Sequence, residues 1–89
     1  MEKSIFTPEY AILRAELLKA RTDAGLTQRE LATRLKVPHS WVAKVESGER
    51  RLDVIEMYRV LSACGVEPLA SLKRVLKSLS RIKRRRGKE

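Results

Sequence analysis

Cysteine and histidine each occur once in this 89-residue sequence, at Cys64 and His39. A single cysteine forms no intrachain disulfide, which excludes a cross-linked secreted scaffold and leads us to expect a reducing, cytoplasmic setting. There is no His, Cys, Asp or Glu cluster at ligand spacing and no phosphate-cradling loop. We therefore assign no metal site, cofactor or catalytic residue, and expect no enzyme. No apolar run approaches the ~20 residues that span a bilayer, so no membrane association is expected. The opening MEKSIFTPEY is too short and polar for a secretory leader. Alternating strand patterns and internal repeats are absent too. What remains is one small all-α domain, above the size at which metals or disulfides are needed for folding.

Charge is plentiful but uneven. The net charge is +9, from 20 basic and 11 acidic residues. From Lys73 onward there are nine basic residues against Glu89 alone, a net of +8. The preceding body is nearly neutral at +1, with 11 basic and 10 acidic residues. We expect a folded domain over 1–80 and a basic tail over 81–89, frayed because like charges repel. The tail's role would be sequence-independent attraction to phosphates.

Start and stop signals divide the chain into five helices. The first follows Thr7, with Pro8 at a position where a missing N–H costs nothing. Its inner face is Tyr10, Leu13, Leu17, Ala20 and Ala24, and Gly25 ends it. The second opens on a capping box of Thr27 and Glu30, with Leu31, Ala32 and Leu35 as its apolar stripe. Pro38 interrupts that pattern. A third helix runs from about His39 to Ser47 and stops at Gly48. The fourth is capped by Asp53 with Glu56 and runs to Cys64, with a core face of Val54 or Ile55, Tyr58, Leu61, and Ser62 or Cys64. The fifth begins near Pro68 and carries Leu69, Leu72, Leu76 and Leu79.

Two short helices joined by a tight turn, over 27–47, form a helix-turn-helix, whose second helix enters the DNA major groove. On a helical wheel Val42 and Val45 mark the inward side of that helix. Ser40, Ala43, Lys44 and Ser47 lie opposite, with His39 at the exposed N-terminal end. Lys44 suits guanine O6 or N7, and Ser40 donates or accepts. A solvated polar face is the plain alternative.

The run Leu26-Thr27-Gln28, Glu30-Leu31-Ala32, Val42, Val45, Glu46 and Gly48, continuing as Glu49-Arg50-Arg51-Leu52-Asp53-Val54, resembles the Xre/Cro family of phage-repressor-type DNA-binding domains over residues 10–72. The resemblance implies a five-helix, lambda-repressor-like fold, sequence-specific binding to double-stranded DNA and usually a homodimer on a two-fold operator. It assigns base reading to His39, Ser40 and Lys44. Backbone contacts fall to Gln28, Trp41, Ser47, Arg50 and Arg51, the two arginines as flexible loop clamps. Trp41 lies between core and groove, so packing and an indole N–H aimed at a phosphate are both open. The resemblance also places Arg21 beside Glu46 as a structural ion pair. Lys36 stands where many relatives have glycine, and Pro38 where they have a hydroxyl cap.

The broad stripe on the fifth helix suggests that Leu76, Leu79 and Ile82 pack against a second copy. The expected activity is that of a homodimeric repressor on an inverted repeat. Two alternatives remain: an antitoxin or similar module with a protein partner such as a toxin or antirepressor, and a controller-type activator.

Overall fold

The computed structural model describes residues 7–87, with side chains through Ile82. Five helices follow in order: α1 Pro8–Asp23, α2 Gln28–Leu35, α3 His39–Ser47, α4 Val54–Ala63 and α5 Pro68–Gly87. No strand occurs among the described residues.

Local chemistry sets each boundary. At α1 the Tyr10 N–H donates to Thr7 Oγ1 (3.1 Å). The α2 capping box is complete: the Glu30 N–H donates to Thr27 Oγ1 (3.0 Å) and the Thr27 N–H to Glu30 Oε1 (2.8 Å). In α4 the Glu56 N–H donates to Asp53 Oδ1 (2.7 Å) and the Asp53 N–H to Glu56 Oε1 (3.0 Å). Helix α2 ends on Lys36 at φ 60°, ψ 44°, a left-handed residue that carries a Cβ. Such a conformation costs roughly 1–2 kcal/mol. Pro38 precedes α3 without a side-chain cap. Gly48 ends α3 at φ +87°, and a Cβ placed there would lie 2.9 Å from Arg14 Nη1. Glycine here serves two ends, the backbone turn and the close seating of Arg14 from α1.

Leu17 and Ala20 of α1 meet Leu31 and Ala32 of α2, Val42 and Val45 of α3, and Val60, Leu61 and Cys64 at the end of α4 in one core. The thiol of Cys64 is pushed up in pKa by burial, which the charges of Arg34 and Arg21 only partly offset. Helix α2 packs on α3 and α4, while α1 touches α3, α4 and α5.

Two apolar stripes differ from expectation. Val54, Ile55 and Tyr58 are 65%, 57% and 58% exposed, and the inward line of α4 is Met57, Val60, Leu61 and Cys64. Both lines pass near Leu61, but they diverge around the helix, and α2 with α1 covers only the second. On α5, Leu69 and Leu76 are exposed, whereas Ser71 and Val75 are buried. Ser71 is tolerated inside because its Oγ accepts from Arg74 Nη2 (3.1 Å), which also reaches Glu16 Oε2 (2.7 Å). Helix α5 runs unbroken to Gly87, across the 80/81 boundary where fraying was expected. The basic side chains of 83–88 lie outside the described ones.

Candidate nucleic-acid interface

Helix α3 is fixed from one side and open on the other. Val42 and Val45, 2% and 4% exposed, seat it on the core. His39, Ser40 and Lys44 project outward, exposed, and their side chains make no hydrogen bond or ion pair in the described structure. Pro38 offers no side-chain acceptor, and while the Trp41 N–H donates to the Pro38 carbonyl (3.0 Å), the N–H groups of His39 and Ser40 stay available to an anion.

The inner flank of α3 is locked by charge. Arg21 Nε donates to Glu46 Oε2 (2.6 Å) and its Nη2 to Glu46 Oε1 (3.0 Å), a two-pronged pair. The third prong, Nη1, donates to the Leu26 carbonyl (2.8 Å), tying in the α1–α2 turn. The side chains of Arg21 and Glu46 are 13% and 10% exposed. Hydrogen bonding to Glu46 raises the Arg21 pKa further, against the opposing effect of burial. Gln28 joins this network, its Nε2 donating to Glu46 Oε1 (2.8 Å). The reading from sequence did not anticipate that bond. It links the first turn of α2 to the middle of α3, so the two helices of the motif move as one.

The loop after α3 is tied back rather than loose. Arg50 donates through both terminal nitrogens to Glu56 (3.2 Å each) and through Nη1 to the Arg51 carbonyl (2.7 Å). Its guanidinium also lies 5.0 Å from the Trp41 ring centroid. Arg50 lowers the Glu56 pKa, helped by the Asp53 backbone N–H. Arg51 stands 5.6 Å from the Tyr10 ring, and the Tyr10 hydroxyl accepts from the Leu52 N–H. Arg50 and Arg51, expected as flexible loop clamps, are thus both engaged with the domain. Trp41 is half-buried against the core edge. Ser47 Oγ donates to the Lys44 carbonyl (3.2 Å) or to Glu49 (2.9 Å).

The remaining candidates lie away from this face. Leu76 and Leu79 border an apolar groove of about 480 Å³, which also takes in Leu13, Leu52, Met57 and Leu72. Ile82 is half-buried further along α5. No group of three or more His, Cys, Asp or Glu that could hold a metal occurs among the described residues. No described helix is long and apolar enough to cross a membrane.

Against known proteins, residues 17–70 match the family model described as helix-turn-helix. A solved XRE-family like protein from Pseudomonas syringae pv. tomato str. DC3000 is 45% identical, with a TM-score of 0.78 over 85% of this chain and 93% of that one. The chain belongs to the XRE family of helix-turn-helix DNA-binding proteins. Other members of the same fold are more distant in sequence. The wild-type restriction-modification controller protein C.Esp1396I is 16% identical, with a TM-score of 0.73 over 82% of this chain and 96% of its own. The clp gene regulator ClgR from Corynebacterium glutamicum is 23% identical, with a TM-score of 0.71 over 91% of this chain and 86% of its own. At these identities the likeness is one of fold. No curated protein sequence gives a significant match.

Proposed function

We propose that this XRE-family regulator is a homodimeric repressor that binds an inverted-repeat operator in double-stranded DNA, with α3 in the major groove. The observation that carries this is the division of α3. One side is clamped by Val42, Val45 and the Arg21–Glu46–Gln28 network, and the other presents His39, Ser40 and Lys44 uncommitted. A rigid helix whose only free polar side faces outward suits base reading, because contacts to base edges demand fixed geometry. His39, Ser40 and Lys44 are assigned to bases. Ser47 and the exposed edges of Gln28 and Trp41 are assigned to phosphates, and Arg50 and Arg51 to holding the loop that flanks them.

The dimer reading rests on Leu76, 53% exposed, with Leu79 and Ile82 beside it on α5. Two half-sites about one helical turn apart then give a selectivity that one short helix cannot supply. A related fold, the controller protein C.Esp1396I, is described as a tetramer in complex with its natural 35 base-pair operator. Sedimentation at micromolar concentration tests the dimer: a single monomeric species would remove it.

A second reading, a module that binds a protein partner, is favoured by the exposed apolar residues Val54, Ile55 and Tyr58 on α4. Substituting these three with polar residues without effect on repression in cells would discard it.

A further inference from the structure

Helix α5 carries eight basic residues and no acidic one. Its buried side is Ser71 and Val75, with Leu72, Ser78, Leu79 and Ile82 half-buried beside them. Lys73, Lys77 and Arg81 follow at steps of four residues and fall within an arc of about 80° on the helical wheel, opposite that buried side. Successive charges rise by ~6 Å along the helix. All three are exposed and none has a hydrogen bond or ion pair.

This sets them apart from several cations of the body. Lys19 is paired with Asp23, Arg21 with Glu46 and Arg50 with Glu56, while Arg34 caps the Ala63 carbonyl. Within α5 itself, Arg74 is spent on Glu16. Arg29, Lys36, Lys44 and Arg59 also form no hydrogen bond or ion pair, but they lie on separate elements, whereas Lys73, Lys77 and Arg81 share one ridge.

Its direction matters as much as its charge. Helix α5 packs on α1 and α4, whereas α3 packs on α2 and α1. They meet α1 on different sides, since Glu16 pairs with Arg74 of α5 and Arg21 with Glu46 of α3, about 140° apart on the helical wheel. A ridge opposite the buried side of α5 therefore faces away from the packed body. Of the apolar residues assigned to the dimer seam, Leu79 and Ile82 are half-buried, whereas Leu76 is exposed and borders the ridge at Lys73.

We propose that Lys73, Lys77 and Arg81 form a second, sequence-independent surface for double-stranded DNA, by which the protein bridges two DNA segments. The chemistry is charge neutralisation of phosphates by unpaired cations with no base-edge geometry. The proposal rests on α3 being the first DNA surface.

Bridging is measured with two short duplexes of random sequence, one immobilised and one fluorescent, and the full chain between them. The wild type retains the fluorescent duplex. The variant Lys73→Gln/Lys77→Gln/Arg81→Gln retains roughly tenfold less, with a salt dependence shallower by about 2 to 3 in log–log slope. Its melting temperature and its affinity for a single selected site change little. Undiminished capture by the triple variant overturns the proposal. So does a loss of single-site affinity equal to the loss of capture, because the ridge would then serve the same duplex as α3. Displacement of the fluorescent duplex by double-stranded RNA, or by anionic phospholipid vesicles, at far lower phosphate concentration than by competing DNA overturns the choice of DNA. The triple variant is also used to select sites from random DNA. An enriched palindrome beside undiminished capture sinks only the ridge, whereas capture lost on substitution with no enriched site sinks only the reading of α3.

Discussion

Truncating Glu46 to alanine should unfold this domain more readily than any single substitution on the outward face of α3. The carboxylate accepts three donors, Arg21 Nε at 2.6 Å, Arg21 Nη2 at 3.0 Å and Gln28 Nε2 at 2.8 Å. Removing it leaves a guanidinium that is 13% exposed, holding only the Leu26 carbonyl. An abandoned charge of this kind costs about 3–5 kcal/mol. In a domain of this size each kcal/mol lowers Tm by roughly 4–8 °C, so the fall should exceed about 12 °C. Thermal melting and urea titration followed by circular dichroism read the effect, with an unchanged m-value expected. The double variant Arg21→Met/Glu46→Leu sharpens the reasoning, because exchanging both charges for apolar groups removes the stranded ion. It should recover most of the lost stability. A loss below about 1 kcal/mol for Glu46→Ala, or a double variant no better than the single one, would refute the account of a desolvated, mutually dependent pair.

Three further outcomes follow from the same geometry. Lys36→Gly should stabilise the domain by about 0.5–1 kcal/mol in chemical denaturation, since glycine relieves the left-handed turn but loses more chain entropy on folding. Gly48→Ala should destabilise by about 1 kcal/mol or more, because alanine is strained at φ +87°, while the Arg14 guanidinium 2.9 Å from its Cβ need only shift aside. Acid should weaken the fold. Glu56 is held below the usual carboxylate range by Arg50. In Glu16, burial pushes the pKa up, but hydrogen bonds from Arg74 and Ser71 and nearby positive charge outweigh it and leave the group lowered. Carboxyls lowered on folding contribute stability that is full above the unfolded value of 4.5 and lost as pH falls through the folded value. Melting temperature should therefore fall below about pH 4.5, and Glu56→Gln should flatten part of that dependence.

The helix boundaries were largely legible in the sequence because local chemistry sets them. Thr27 with Glu30 and Asp53 with Glu56 form reciprocal caps within four residues of each other, so no tertiary knowledge is needed to see them. The face of α4 was not legible. Val54, Ile55 and Tyr58 are as apolar as Met57, Val60 and Leu61, and only the placement of α1 and α2 decides which line is covered. The inner line of α5 was not legible either, since Leu69 is exposed while Ser71 is buried by virtue of its hydrogen-bond partner, although Leu76 is exposed as an outward position would be. At the candidate interface, His39, Ser40 and Lys44 followed from periodicity together with family resemblance. The engagement of Arg50 with Glu56 and Trp41 did not follow, because the loop brings together side chains whose partners no spacing rule encodes. One signal was present: Glu56 stands six residues after Arg50, already fixed in place by its own capping box.

Selection of bound sites from random double-stranded DNA by the full chain tests the central claim most directly. The account predicts enrichment of an inverted repeat with half-sites about one helical turn apart. Lys44→Ala should lose discrimination at one position of each half-site, worth about 1–3 kcal/mol, while retaining affinity for the rest. Recovery of no palindromic site, or a Lys44→Ala variant whose affinity falls equally for every sequence, would contradict a base-reading α3.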